Sequence, residues 1–191
     1  MLIPLQSNNN TATTSRFNHN ALVRRFSELV YFTQVTTLGQ GCFNNATSLE
    51  YAHLEHITNI LSGNNPTSTT TFGGTAQIEI YLPNIERVGA YPFTTNSYSP
   101  FNTKLRKIIL GASLTTISRY TFRALSGGAP KIIIYATTPP TTSEGTAIDR
   151  YQMAGCYFYV PDESYEDYMS ASQWANYANA GAIKRMSDLT E

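Results

Sequence analysis

One spacing recurs along this chain and limits what it can fold into. An apolar residue, two intervening positions, a second apolar residue, four further positions and then phenylalanine occurs at Val35, Leu38 and Phe43, at Ile85, Val88 and Phe93, and at Leu114, Ile117 and Phe122. A further copy opens at Ile57 and Ile60, but its aromatic, Phe72, is delayed by an insertion from Ser62 through Asn64, Asn65 and Pro66 into a Thr/Ser run. Self-similarity at a short period marks units that cannot each bury an apolar face alone and must stack to do so.

Upstream of each copy lies a short stretch that reads as a strand, because successive side chains of a strand point to opposite faces. The stretches are Leu29 to Phe32, Tyr51 to Leu54, Glu79 to Leu82, Lys107 to Leu110 and Lys131 to Ile134. Stacked in register they give two inward columns: Val30, Ala52, Ile80, Ile108 and Ile132, then Phe32, Leu54, Leu82, Leu110 and Ile134. Each buried Leu, Ile or Phe contributes about 1.5–3 kcal/mol, less than the ordering entropy of a whole unit, so neighbours must supply the rest. The outward columns read Tyr31, His53, Tyr81, Ile109 and Ile133, and Leu29, Tyr51, Glu79, Lys107 and Lys131.

The run from Phe26 to Leu38 resembles the opening unit of BspA-like leucine-rich repeat domains, and Leu105 to Phe122 resembles their central unit. Ala136 to Pro140 is similar to the loop before the family's terminal cap, and Tyr159 to Ser164 with Tyr168, Trp174, Tyr177 and Ile183 is similar to the cap itself. Cys42 and Pro92 stand where the family usually has Ala before the Phe, and the segments Ser62 to Thr71 and Thr94 to Thr103 are longer than its turns. The resemblance implies an α/β repeat solenoid, a short leucine-rich repeat stack closed by a C-terminal helical cap. The expected organisation is a polar arm over 1–21, the repeat domain over 22–186 with its cap from about 156, and a tail over 187–191.

Composition narrows the function. The chain has 191 residues, 41% hydrophobic, enough for a core without a metal or disulfide staple. Thirteen Lys plus Arg offset thirteen Asp plus Glu, so no general field draws in nucleic acid or an anionic membrane, and neither nucleic-acid binding nor membrane insertion is expected. Charged residues are only 14%, so Thr, Ser, Asn and Tyr must supply the polar surface, as in adhesive paratopes. Two cysteines, Cys42 and Cys156, make no disulfide framework and read as buried thiols. The N-terminal run Met1 to Ser7 has no basic start and is not read as a secretory signal.

Catalytic and metal chemistry find little purchase, and neither enzyme activity nor a cofactor is expected. His53 and His56 with Glu50 or Glu55 would be an imaginable ligand set, but strand and turn placement separates them. Asp162, Glu163, Glu166 and Asp167 read as the first turns of one helix, with Asp162 as its cap, and not as a glycosidase pair facing across a cleft. Gly73-Gly74 and Gly127-Gly128 fall at unit boundaries where turns need positive φ.

The expectation is therefore a recognition or adhesion module holding a protein or glycan ligand. The resemblance implies surface attachment, and a second expectation is a virion protein, a head or tail fibre subunit docked on other virion subunits. The candidate binding residues are Tyr98, Phe101, Asn64 and Asn65 in the two insertions, with Tyr31 and Tyr81 on the strand face.

Overall fold

The computed structural model describes residues 11–12, 17, 19–25, 31, 33–62, 70–76, 78–93, 104–123, 125, 129–150 and 153–190. The chain forms two parallel sheets with few helices, an α/β arrangement. The shorter strands are β1 (Thr11–Ala12), β2 (Thr37–Leu38), β4 (Asn59–Ile60), β6 (Arg87–Val88), β8 (Thr116–Ile117) and β10 (Thr141–Thr142), adjacent in that order. The longer sheet orders β3 (Tyr51–His53), β5 (Glu79–Leu82), β7 (Lys107–Leu110), β9 (Lys131–Ile134), β11 (Tyr157–Val160) and β12 (Ile183–Arg185). From β2 to β11 the chain alternates between the sheets, so each turn lays one strand on each side of a shared core.

The register follows the alternation of apolar residues. Ala52, Ile80, Ile108 and Ile132 pair in sequence, as do Leu82, Leu110 and Ile134, and all of these are fully buried together with Leu54. A one-residue slip would turn that whole set to the other face. From the opposite sheet Leu38, Ile60, Val88 and Ile117 face the same core, and Ile57, Ile85 and Leu114 fill the corner between the sheets.

The recurrent phenylalanines form one column. Phe43 stacks on Phe72, Phe72 on Phe93 and Phe93 on Phe122, with centroids 5.6, 5.9 and 6.3 Å apart and rings within 13° of parallel. Phe72 thus keeps its place in the column despite the insertion before it. Near-parallel contacts at this spacing add about 0.5–1.5 kcal/mol per pair beyond area burial.

At the far end the column meets Phe158, Trp174 and Tyr177, which with Tyr168 close the core beyond β10. Phe158 comes from β11, and Tyr168, Trp174 and Tyr177 come from α1 (Tyr165–Ser170), the 3-10 turn Ser172–Trp174 and α2 (Ala175–Ala178). Their polar ends reach carbonyls they would otherwise orphan: Tyr168 Oη donates to Ala136 O at 2.9 Å, Trp174 Nε1 to Pro140 O at 3.1 Å and Tyr177 Oη to Asp149 O at 2.9 Å. A buried donor without such a partner would cost about 1–3 kcal/mol. Asp162 does not cap the helix it precedes. The segment opens with a 3-10 turn lacking a side-chain cap, and Asp162 Oδ1 instead accepts the N–H of Ser187 at 3.1 Å.

Two expectations at the N-terminal end are corrected. The residue paired with Tyr51 is Arg25, not Leu29. Three contacts accompany that register: Arg24 Nε lies 2.9 Å from Glu50 Oε2, Glu50 N donates to Arg24 O, and the Arg25 guanidinium sits 4.8 Å from the Tyr51 ring centre. Tyr31 has a 3-10 conformation and is 82% exposed, outside the strand column assigned to it; Leu29, Val30 and Phe32 lie outside the described residues. Nor does the whole span 1–21 stand apart from the core, because β1 pairs with β2 and Phe17 stacks on Phe43 at 5.4 Å. Phe17 N also donates to Cys42 O and His19 N to Asn44 O.

Candidate functional site

The outward face of the longer sheet gathers the side chains that the core does not use. Along one column run Arg25, Tyr51, Glu79, Lys107, Lys131 and Tyr157; along the next run His53, Tyr81, Ile109, Ile133, Tyr159 and Lys184. Parallel pairing places chemically matched neighbours side by side. Glu79 is the hinge of the charges, with His53 Nε2 at 3.4 Å and Lys107 Nζ at 3.6 Å from its two oxygens. The His53 ring meets the Tyr81 edge at 5.4 Å, and Lys184 Nζ lies 5.5 Å from the Tyr157 ring centre.

Exposure divides this face. His53 is exposed and Tyr81 and Ile109 are half-buried, whereas Ile133 and Tyr159 retain only 4% and 8% of their surface. The buried end is where the C-terminal segment runs. Its 3-10 turn Met186–Asp188 packs on β11, and Lys131 Nζ donates to Thr190 O. Arg185 N donates to Asp188 Oδ2 at 3.2 Å, and the Arg185 guanidinium reaches Asp162 O, Glu166 Oε1 and the Tyr165 ring. Burial raises the Tyr159 phenol above the ordinary tyrosine range, with Tyr157 and the Asp188 charge adding to the effect. The other end, with His53 exposed and Tyr81 and Ile109 half-buried, offers aromatic and branched surface beside the Glu79 and Lys107 charges.

A second aromatic cluster lies at the turns before the phenylalanine column. Tyr91 and Tyr120 stack at 5.0 Å and 9°, with the Arg119 and Arg123 guanidinium carbons 5.2 and 5.4 Å from the Tyr120 ring centre. Tyr91 adopts φ 58°, a region disfavoured for a bulky side chain and held here by the stack. Burial raises its phenol pKa, opposed by a hydrogen bond with Arg123.

The sequence-derived candidates fall unevenly on this geometry. Tyr81 lies on the outward face. Tyr31 does not join it, and Asn64, Asn65, Tyr98 and Phe101 lie outside the described residues. Sequence reasoning passed over Arg25, Tyr157, Tyr159 and Lys184 as members of the face. Tyr157 to Val160 carries the same out-in alternation as the earlier strands and could have been read as a further rung. Arg25 had no apolar signal to reveal it.

Cys42 and Cys156 are buried free thiols, each pushed up to about 12 by burial, which disfavours the thiolate. Among the described residues no three His, Cys, Asp or Glu side chains gather where they could hold a metal, and no helix is long and apolar enough to cross a membrane. No protein-family model matches the chain, and no curated protein matches it significantly.

Proposed function

We propose that this chain is a non-enzymatic recognition module, a short solenoid of the BspA-like leucine-rich repeat kind, that holds a protein or glycan of a cell surface against the outward face of its longer sheet. The observation that carries the reading is the patch of His53, exposed, with Tyr81 and Ile109, half-buried, on a frame of paired parallel strands. Aromatic and branched side chains held on such a frame lose little rotamer entropy when they bind, and they give contact area where the sheet has no other use for them. The alternation between two sheets around a continuous core supports the solenoid reading, as does the phenylalanine column set by the sequence repeat. Surface attachment is the setting implied by the family resemblance.

The test is a fluorescently labelled full chain applied to a glycan array and to a panel of bacterial and epithelial cells, beside Tyr81→Ala and His53→Ala variants checked for unchanged melting. The expected result is saturable binding that either substitution weakens at least about fivefold, the scale of a contact residue worth about 1 kcal/mol. Binding indifferent to both substitutions would place recognition elsewhere on the molecule.

A further inference from the structure

The outward face is unevenly charged. Arg25, Lys107, Lys131 and Lys184 project from it against the carboxylate of Glu79, although the chain as a whole carries no net charge. The cations stand beside aromatic rings, Arg25 over Tyr51 and Lys184 over Tyr157. One end of the face is already occupied, and by polypeptide. Met186 to Thr190 runs there with a backbone carbonyl on Lys131 and its 3-10 turn packed on β11, while Ile133 and Tyr159 are buried.

Resting on the reading of this face as the recognition surface, we propose that its partner is an acidic, extended polypeptide segment, and that residues 186–190 fill one end of the same berth. The intramolecular segment shows the chemistry the partner would repeat: a backbone carbonyl on a lysine, and chain packed at the end of the sheet where Ile133 and Tyr159 are buried. The other end supplies the same elements, with Lys107 and Arg25 as the cations and Tyr81 and Ile109 as the floor. Polypeptide is favoured over nucleic acid because the occupant in view is polypeptide and the neutral chain lacks the broad field that phosphate backbones require.

The test measures binding of a labelled glutamate–tyrosine copolymer to the full chain by fluorescence anisotropy, with heparin and oligothymidylate as rival probes. Arg25→Gln with Lys107→Gln is expected to weaken copolymer binding about tenfold, the equivalent of about 1.4 kcal/mol shared by two ion pairs. Tyr81→Ala is expected to weaken it as well. Asp188→Ala, which removes the carboxylate holding the 186–188 turn to Arg185 N, is expected to tighten binding about threefold by freeing Ile133 and Tyr159. If Tyr81→Ala weakens binding and the charge variant does not, the acidic partner is refuted and the face survives. Heparin or oligothymidylate binding more tightly through the same residues would refute a polypeptide partner, again leaving the face. No effect of Asp188→Ala beside a large effect of the charge variant would overturn the shared berth, and indifference to every substitution would overturn the proposal and the face together.

Discussion

Leu110→Ala isolates the strand register on which both functional readings depend. Leu110 is fully buried, paired between Leu82 and Ile134, which are equally buried. Removing three carbon groups at about 0.8 kcal/mol each forfeits about 2.4 kcal/mol of transfer free energy. The flanking strands are held by ladders on both sides and cannot close fully on the gap, so the residual cavity should raise the loss to about 3–4 kcal/mol. Lys107, three residues earlier on the same strand, is the internal control. Its amine lies 3.6 Å from Glu79 on a solvent-screened face, and Lys107→Ala should cost less than about 1 kcal/mol. Urea titration followed by far-ultraviolet circular dichroism reads both, provided the slope with denaturant stays constant. Equal losses, or a larger loss at Lys107, would refute the assignment of inner and outer faces.

Phe17→Ala should lower stability by about 1–2 kcal/mol, since the half-buried ring extends the phenylalanine column; an unchanged melting temperature would show that this ring does not contribute. Cys42 should resist iodoacetamide at pH 8 and react fully in denaturant, which mass spectrometry distinguishes; rapid native labelling would contradict its burial. Asp162 is held below its ordinary 3.8 chiefly by the hydrogen bond from Ser187 N, so its contribution is complete above that value and disappears as pH falls through the lower folded value. Amide exchange at Ser187, corrected for intrinsic rates, should thus be steady from pH 7 to 5 and quicken under strongly acidic conditions; loss of protection already at pH 5 would contradict the bond.

The sequence made the interior far more legible than the ends. Residues such as Ile80, Leu82 and Ile108 announce their orientation because they alternate with Glu79, Tyr81 and Lys107, and the pairing respects that period. The phenylalanines announce themselves by recurrence. Arg25 was hidden because its contacts, a ring and the ion pair beside it, belong to the neighbouring rung, while the apolar run beginning at Leu29 offers a competing strand signal. The two-residue strands of the shorter sheet are too brief for a period to register. Eight of the twelve positions of the candidate face were visible, from Tyr51 to Lys131 in one column and His53 to Ile133 in the next, but its covering was not, since nothing local in Met186 to Thr190 states which surface it will cross.

The phenylalanine column and the two ladders share one direction, and that direction sets how the molecule would bear a load. Bonds between neighbouring strands run along the order β3 to β12, so tension applied between the two ends of the longer sheet pulls them apart in turn. A protein tethering a surface through this frame would lengthen by shedding rungs in sequence, yielding at modest force over a long extension, as a spring more than a rivet. A force-extension trace of the full chain would show a series of small steps, and a single abrupt rupture would contradict it.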